Sequence, residues 1–271
     1  MIQTKTDLTA RLTFMEGLAR QAGTLALGYF NDRDSLDIET KRSLTDMVSI
    51  ADRNVEQLIR EALQAEFPDD ALLGEEYGLI PGSTGATWAV DPIDGTGPFL
   101  NGLPGWCVSI GLMDDQGPLA GALYVPVLDE MFLGARDMGA TLNGRPIRAT
   151  DRFDLSTGLL GFGQNDRVPP ARIAELHQEL ATAGIGWVRY GSGALMLAYV
   201  AAGRLVGYCE PRMSLWDCLA AYAIIEAAGG RIMPVGPGAV TGQGFAVMAS
   251  TMQEYDRLDG LTRFHAGGWE L

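Results

Sequence analysis

Histidine and cysteine are scarce in this chain, and the scarcity narrows the chemistry before any motif is read. Two histidines, His177 and His265, and three cysteines, Cys107, Cys209 and Cys218, are spread over 271 residues with no C-x-x-C pair. A zinc site of the usual nitrogen and sulfur kind is therefore not expected. Three cysteines leave one over from any disulfide, so a reducing cytoplasm is the expected compartment. Long apolar runs are missing too. The longest candidate, ALMLAYVAA at 194–202, is well short of the roughly 20 residues a membrane-spanning helix needs. The start, MIQTKTDLTARL, has no basic-then-apolar layout of a secretory signal. Basic residues are outnumbered, 20 against 34 acids, for a formal net charge of −14, which argues against a nucleic-acid partner. No G-x-x-x-x-G-K-[ST] is present, so P-loop kinases are excluded.

The periodicity that is present divides the chain into two styles. Leu8, Leu12, Met15, Leu18, Ala22, Leu25 and Tyr29 recur at helical steps and predict an amphipathic helix over 7–30. A second helix is predicted from about Thr45 or Asp46 to Glu66. Beyond Pro68 the runs TWAV, CVSIGLM, LAGALYV and EMFLGA read as strands, and Asn143-Gly144 as a hairpin turn. From about residue 155 strands alternate with helices predicted at 169–183, 193–202 and 217–228, the last stopping at Gly229-Gly230, and a final helix is predicted from Thr251. The first half, 1–150, is thus α+β and the second, 151–271, α/β. No repeat or long linker interrupts them, so one compact unit spanning 1–271 is expected.

Chemistry concentrates in the acids. WAVDPIDGTGPF (88–99) drives an apolar strand into Asp91 and Asp94, two carboxylates that repel unless a cation lies between them. Pro92 stiffens the backbone between them, Gly95 permits close approach, and Thr96 adds a hydroxyl that donates and accepts. LLGEEYG places Glu75 and Glu76 after another apolar run. SLWDCLAAYAIIEAAGG sets Asp217 at a helix start, and KRSLTDMVSIAD carries Lys41, Asp46 and Asp52. Oxygen donors without histidine or cysteine select Mg²⁺, Mn²⁺ or Ca²⁺ over Zn²⁺, and several shared carboxylates fit two-metal hydrolysis.

Asp91-Pro92-Ile93-Asp94-Gly95-Thr96, preceded by Gly74-Glu75-Glu76 and followed by Trp216-Asp217-x-x-Ala220-Ala221 and Ala228-Gly229-Gly230, resembles the inositol monophosphatase family. Lys41 through Asp52 resembles that family's N-terminal K-x-S-x-x-D-x-V-[ST]-x-A-D segment. The pieces occur in family order from about residue 10 to residue 250. The resemblance implies Mg²⁺-dependent hydrolysis of phosphate monoesters on a layered αβαβα sandwich, usually dimeric and lithium-sensitive, with Mn²⁺ able to substitute. It implies that Glu75, Asp91 and the carbonyl of Ile93 hold one ion, and Asp91, Asp94 and Asp217 a second. Thr96, bonded to Asp52, would orient the attacking water with help from Glu75, and the amides of Gly95 and Thr96 would face the phosphate. Lys41 would lie on a site loop near a weaker third ion. Glu210 and the stretch Gly191-Ser192-Gly193 would contact substrate, with Gly193 standing where the family has alanine. Gly97-Pro98 departs further, because proline removes an N–H from the turn.

Blander readings stand beside these. Asp217 alone could be a helix cap worth about 1 kcal/mol, Asp46 a helix-start residue and Lys41 a surface lysine. The histidines are expected at the surface, while Cys209 and Cys218 are expected to pack. A haloacid dehalogenase-like nucleophile needs D-x-D-G-T, one residue shorter than the D-x-x-D-G-T here. A metal-bound regulatory protein remains a second rival, opposed by the presence of every expected acid and of Thr96. Within the phosphatase class the expected substrate is myo-inositol 1-phosphate. Histidinol phosphate, fructose 1,6-bisphosphate and 3′-phosphoadenosine nucleotides are the alternatives.

Overall fold

The computed structural model describes residues 5–33, 38–40, 47–236 and 238–265. Helix α1 (Lys5–Asn31) follows the expected period. Strands β1 (Ile38–Thr40) and β2 (Met47–Ser49) pair antiparallel, Ile38 opposite Ser49, and α2 (Ile50–Glu66) follows. The second helix therefore begins later than its sequence pattern suggests, because Met47–Ser49 finds a strand partner. Asp46 and Lys41 lie outside the described residues.

Eight strands then form the larger sheet: β3 (Ala71–Gly74), β4 (Gly78–Ile80), β5 (Thr87–Asp94), β6 (Cys107–Asp114), β7 (Gly117–Val125), β8 (Glu130–Ala135), β9 (Gly139–Leu142) and β10 (Arg145–Ile147). Their order is β10-β9-β8-β7-β6-β5-β3-β4, and only the β3–β5 pair is parallel. A short helix, α3 (Thr96–Leu100), leaves the end of β5. Asn143 (φ 50°) and Gly144 (φ 73°) make the expected tight hairpin, with both turn residues at positive φ.

The second sheet is built from alternating elements: β11 (Leu159–Phe162), α4 (Pro170–Thr182), β12 (Gly186–Val188), α5 (Gly193–Ala201), β13 (Gly207–Met213), α6 (Leu215–Ala227), β14 (Arg231–Ile232), β15 (Phe245–Ser250) and α7 (Tyr255–Thr262). Its order is β12-β11-β13-β15-β14. Gly229 takes the left-handed position after α6, at φ 83°. The last helix starts at Tyr255, not Thr251. The Thr251 N–H is held by Val206 O at 3.2 Å and its hydroxyl accepts from Glu254 N at 3.4 Å, which makes 251–254 a turn.

The elements stack as five layers, αβαβα, and buried apolar side chains fill the spaces between them. Met15, Ala22, Val55 and Ile59 of α1 and α2 pack on Trp88, Val90 and Ile110. Leu195 and Leu197 of α5, and Tyr222 and Ile224 of α6, fill the space between the sheets against Leu123, Phe132 and Val247. Phe162 and Met248 meet Leu176 of α4 and Leu258 of α7 outside the smaller sheet. The run ALMLAYVAA is thereby explained: α5 is apolar around its circumference because it lies between two sheets. Among the described residues no helix is long and apolar enough to cross a membrane. His177 is not the surface residue its helix position suggests. Its ring packs between Phe162 (centroids 4.5 Å) and Trp187 (4.9 Å, stacked). Cys209 and Cys218 are buried, as expected.

Candidate active site

β5 does not end at Val90; it runs on through Asp94 with a register shift. Asp91 pairs with Ser109 and Asp94 with Cys107, so three steps along β5 oppose two along β6. In a regular strand, residues three apart face opposite sides of the sheet. One extra residue at Pro92-Ile93 restores the parity, and both acids face α5 and α6 while Ile93 enters the α1–α2 core. Proline suits the bulge because its missing N–H leaves no ladder bond unmade. The Ile93 N–H instead donates to Asp91 Oδ1 at 2.9 Å.

Three elements bring carboxylates together at this strand end. Glu75 follows β3, Asp91 lies on β5, and Asp217 occupies the first turn of α6. Carboxylate oxygens from the three lie within 4.8 Å of one another. Asp217 is the third residue of the helix, not its cap, and its Oδ2 accepts from Ser214 N at 2.8 Å. With two oxygens, it can serve the helix start and the cluster together. Ser109 Oγ, opposite Asp91, donates to Trp216 O at 3.3 Å and ties the start of α6 to the sheet.

Asp94 stands beside this trio, not within it. Its Oδ2 accepts from the Ser192 hydroxyl and from Ala194 N at 2.8 Å, at the start of α5. The Ser192 side chain, fully buried, also accepts from Leu195 N at 3.2 Å and so caps α5. In this stretch, expected to contact substrate, the Ser192 hydroxyl is thus turned inward onto Asp94. A Cβ at Gly193 would lie 2.5 Å from Met213 Cε and 2.9 Å from the Tyr208 hydroxyl, so alanine there would require these side chains to move. Gly191 (φ 88°) sits against Pro98, whose Cγ would be 2.8 Å from a Cβ there.

Thr96 opens α3 after Gly95, whose φ of 96° and closeness to Gly105 O and Ser192 exclude a side chain. Its hydroxyl is 3.4 Å from Asp52 Oδ1 on α2 and 3.4 Å from Ile93 O. Asp52 is 1% exposed. Pro98, third in α3, occupies a position whose N–H has no acceptor within the helix; the first turn closes through Phe99 N to Gly95 O at 3.0 Å. Glu210 on β13 is buried near the start of α5. Its Oε2 accepts from the Tyr208 hydroxyl at 2.5 Å and its Oε1 from Asn165 Nδ2 at 3.0 Å. Tyr208 carried no sequence signal beyond lying two residues before Glu210, and Asn165, 45 positions away, carried none.

One participant was legible but overlooked. Glu56 lies one helical turn after Asp52, on a face that also buries Ala51, Val55, Ile59, Arg60 and Leu63. An acid on that face is a signal in its own right. Its carboxylate accepts from Glu76 N at 2.7 Å and Tyr77 N at 3.2 Å, in the loop that carries Glu75.

The site is electrostatically strained toward a cation. Burial pushes the Asp91 carboxyl well up, and the leading charges acting on it, Glu75, Asp94, Asp217 and Asp52, are all negative. Asp217 is raised likewise by desolvation, then by Glu75 and Asp94. Burial lifts Asp94 to about 6 against the hydrogen bonds from Ser192 and Ala194. It lifts Glu210 to about 7 against those from Tyr208 and Asn165. Oxygen donors that hold back from ionising for want of a counter-charge suit a hard divalent cation.

A consequence for stability follows. Between the unfolded carboxylate value near 4 and these raised values, the folded protein binds more protons than the unfolded chain, so stability falls as pH rises. In EDTA the melting temperature should therefore drop from pH 5 to pH 8, through the window marked by Asp94 and Glu210. Added Mg²⁺ should restore more at pH 8 than at pH 5. A flat or rising metal-free profile in differential scanning fluorimetry would contradict the electrostatics described.

The model of the inositol monophosphatase family matches residues 7–263. The chain belongs to that family. By that membership it is a phosphoric monoester hydrolase. It is 37% identical over 230 residues to an inositol-1-monophosphatase of Rhizobium meliloti, covering 82% of this chain and 84% of the relative. To a histidinol-phosphatase of Chlorobaculum parvum it is 38% identical over 228 residues, covering 82% and 85%. Among solved structures, the extragenic suppressor protein suhB from Bartonella henselae superposes with a TM-score of 0.84 at 29% identity, over 96% of this chain and 99% of that one.

Proposed function

We propose that this member of the family hydrolyses a small phosphate monoester, myo-inositol 1-phosphate first among candidates, with Mg²⁺ as its resident cation and Mn²⁺ as a substitute. The observation that carries the reading is the convergence of Glu75, Asp91 and Asp217 beside the Thr96–Asp52 pair. Their all-oxygen donor set fits Mg²⁺. Glu75, Asp91 and the Ile93 carbonyl would hold one ion, and Asp91, Asp94 and Asp217 a second. Such ions supply Lewis-acid stabilisation of charge on phosphoryl oxygens and make water a competent nucleophile at neutral pH. Thr96 has one hydroxyl proton, directed to Asp52 or Ile93 O, which leaves its lone pairs to accept from the attacking water and fix its orientation. Glu75 would assist in that orientation. The amides of Gly95 and Thr96 would face the phosphate, with Pro98 offering none.

Substrate selection belongs to the other wall. Glu210, with Gly191, Ser192 and Gly193 nearby, would meet the alcohol portion, though Ser192 would do so through its backbone. Nearly equal identity to an inositol-1-monophosphatase and a histidinol-phosphatase supports both alcohols as candidates. Fructose 1,6-bisphosphate and 3′-phosphoadenosine nucleotides complete the set. Retention of all five expected side chains, Glu75, Asp91, Asp94, Thr96 and Asp217, favours catalysis over a purely regulatory role. Homodimer formation is part of the same reading.

The test is phosphate release from these four esters and an aryl phosphate, with Mg²⁺ and with EDTA. Turnover that needs Mg²⁺ and favours one ester is the expected result. EDTA-insensitive turnover would remove the metal from the mechanism, and turnover of none of the five would return weight to the regulatory reading.

A further inference from the structure

We propose that Glu56 and Arg60 are positioning residues that hold the Glu75 carboxylate in place for metal binding. The inference rests on the metal-centre reading above.

Glu75, Glu76 and Tyr77 form the three-residue loop of the β3–β4 hairpin, closed by the pair Gly74 and Gly78. β4 is the edge strand of its sheet, so among the described residues no further strand lies beyond it to steady this loop. The support comes from α2. Glu56 is fully buried; its Oε2 accepts from Glu76 N at 2.7 Å, and its Oε1 from Tyr77 N at 3.2 Å. Arg60, one turn further along α2, donates from Nη1 to Glu56 Oε1 at 3.1 Å and to Gly78 O at 3.0 Å. Two amides and one carbonyl around the loop are therefore tied to one ion pair. Gly74 leaves room beneath it: a Cβ there would collide with Glu56 Oε1 and approach Arg60 Nη1 to 2.9 Å, so the pair would have to shift.

An ion pair this buried is a poor device for stability, since apolar residues of similar volume often serve as well or better. Apolar residues would, however, leave the amides of Glu76 and Tyr77 and the Gly78 carbonyl without these partners. What the pair adds is a fixed loop geometry immediately after Glu75. The same helix presents Asp52 to Thr96 one turn earlier. A single rigid element thus sets both the water-orienting hydroxyl and the loop carrying a ligand of the three-carboxylate cluster, which is how a supporting layer fixes a reactive geometry.

Glu56→Gln keeps the shape but places an amide donor where the loop N–H groups or Arg60 need an acceptor. Mn²⁺ binding, read by electron paramagnetic resonance or calorimetry, should weaken by roughly 10–100-fold. The rate at low metal should fall and recover as metal is raised, with KM for the ester within about two-fold, the pattern of a lost supporting contact. A lowered melting temperature with unchanged Mn²⁺ affinity would mean that the pair is merely structural and would overturn the inference. Should Glu56→Gln fail to fold by circular dichroism, Arg60→Met decides on the same readout, with weakening of roughly tenfold expected and unchanged affinity again overturning it. Asp91→Asn is the control. If the unaltered protein binds no Mn²⁺, or Asp91→Asn binds it equally well, the metal-centre reading itself has failed and this inference falls with it. If Asp91→Asn loses binding while Glu56→Gln keeps it, the positioning role alone has failed.

Discussion

Asp91→Asn should lower kcat by roughly 10³-fold, the scale of losing several kcal/mol of transition-state charge stabilisation, and should at the same time raise the melting temperature of the metal-free protein. The two effects have one cause. Asp91 is 2% exposed and sits among Glu75, Asp94, Asp217 and Asp52, so its charge is costly without a cation. Asparagine can keep the 2.9 Å contact from Ile93 N and turn its amide donors toward Glu75 and Asp217. Removing a like charge from a buried cluster should contribute on the order of 1 kcal/mol or more at neutral pH, or roughly 2–4 °C per kcal/mol in a chain of this size. The added stability should shrink toward pH 5, where the raised carboxyl is protonated in the folded state in any case. Phosphate release and metal-free melting curves at two pH values check both halves. Near-normal turnover would remove Asp91 from the centre. A lower melting temperature would mean that Asp91 serves the metal-free fold as well.

Thr96→Ala should reduce kcat by roughly 10²–10³-fold, within the range for a positioned proton-handling group, while leaving Mn²⁺ affinity within about two-fold because the hydroxyl is no cluster ligand. Asp52→Asn should act in the same direction and less strongly. The Thr96 proton has a second acceptor, Ile93 O, at the same 3.4 Å, so the hydroxyl retains a partner when Asp52 is neutralised. The ordering of the two variants is the informative result. Equal losses of metal affinity and rate in Thr96→Ala would make the hydroxyl part of the metal centre. A larger loss in Asp52→Asn than in Thr96→Ala would move the proton-handling role to the carboxylate itself.

Much of this centre was legible along the chain. The acids of Asp91-Pro92-Ile93-Asp94-Gly95-Thr96, the Glu75 loop, Asp52 and Asp217 were all identifiable as residue types in pattern, and the glycine-rich hairpins marked their own turns. The longest amphipathic helix was readable because one face meets a sheet and the other meets water. Where both faces are covered the periodic signal disappears, as in α5 and α6, and apolar composition replaced it.

Other features were settled only by contacts between segments distant in sequence. Met47–Ser49 is a strand because Ile38–Thr40 lies beside it, and the helical pattern there yields to that pairing. Ser192 reads as a substrate contact in its own segment, but 98 positions separate it from the Asp94 carboxylate that claims its hydroxyl. The facing of Asp91 and Asp94 depended on a bulge that only the pairing of β5 with β6 defines. What the sequence by itself determined was the chemistry available: clustered oxygen donors and a hydroxyl, with few histidines or cysteines. The tertiary structure decided which donors converge and which are spent on one another. A hydrogen bond or a like-charge repulsion acts over a few ångströms of space, whatever the distance along the chain.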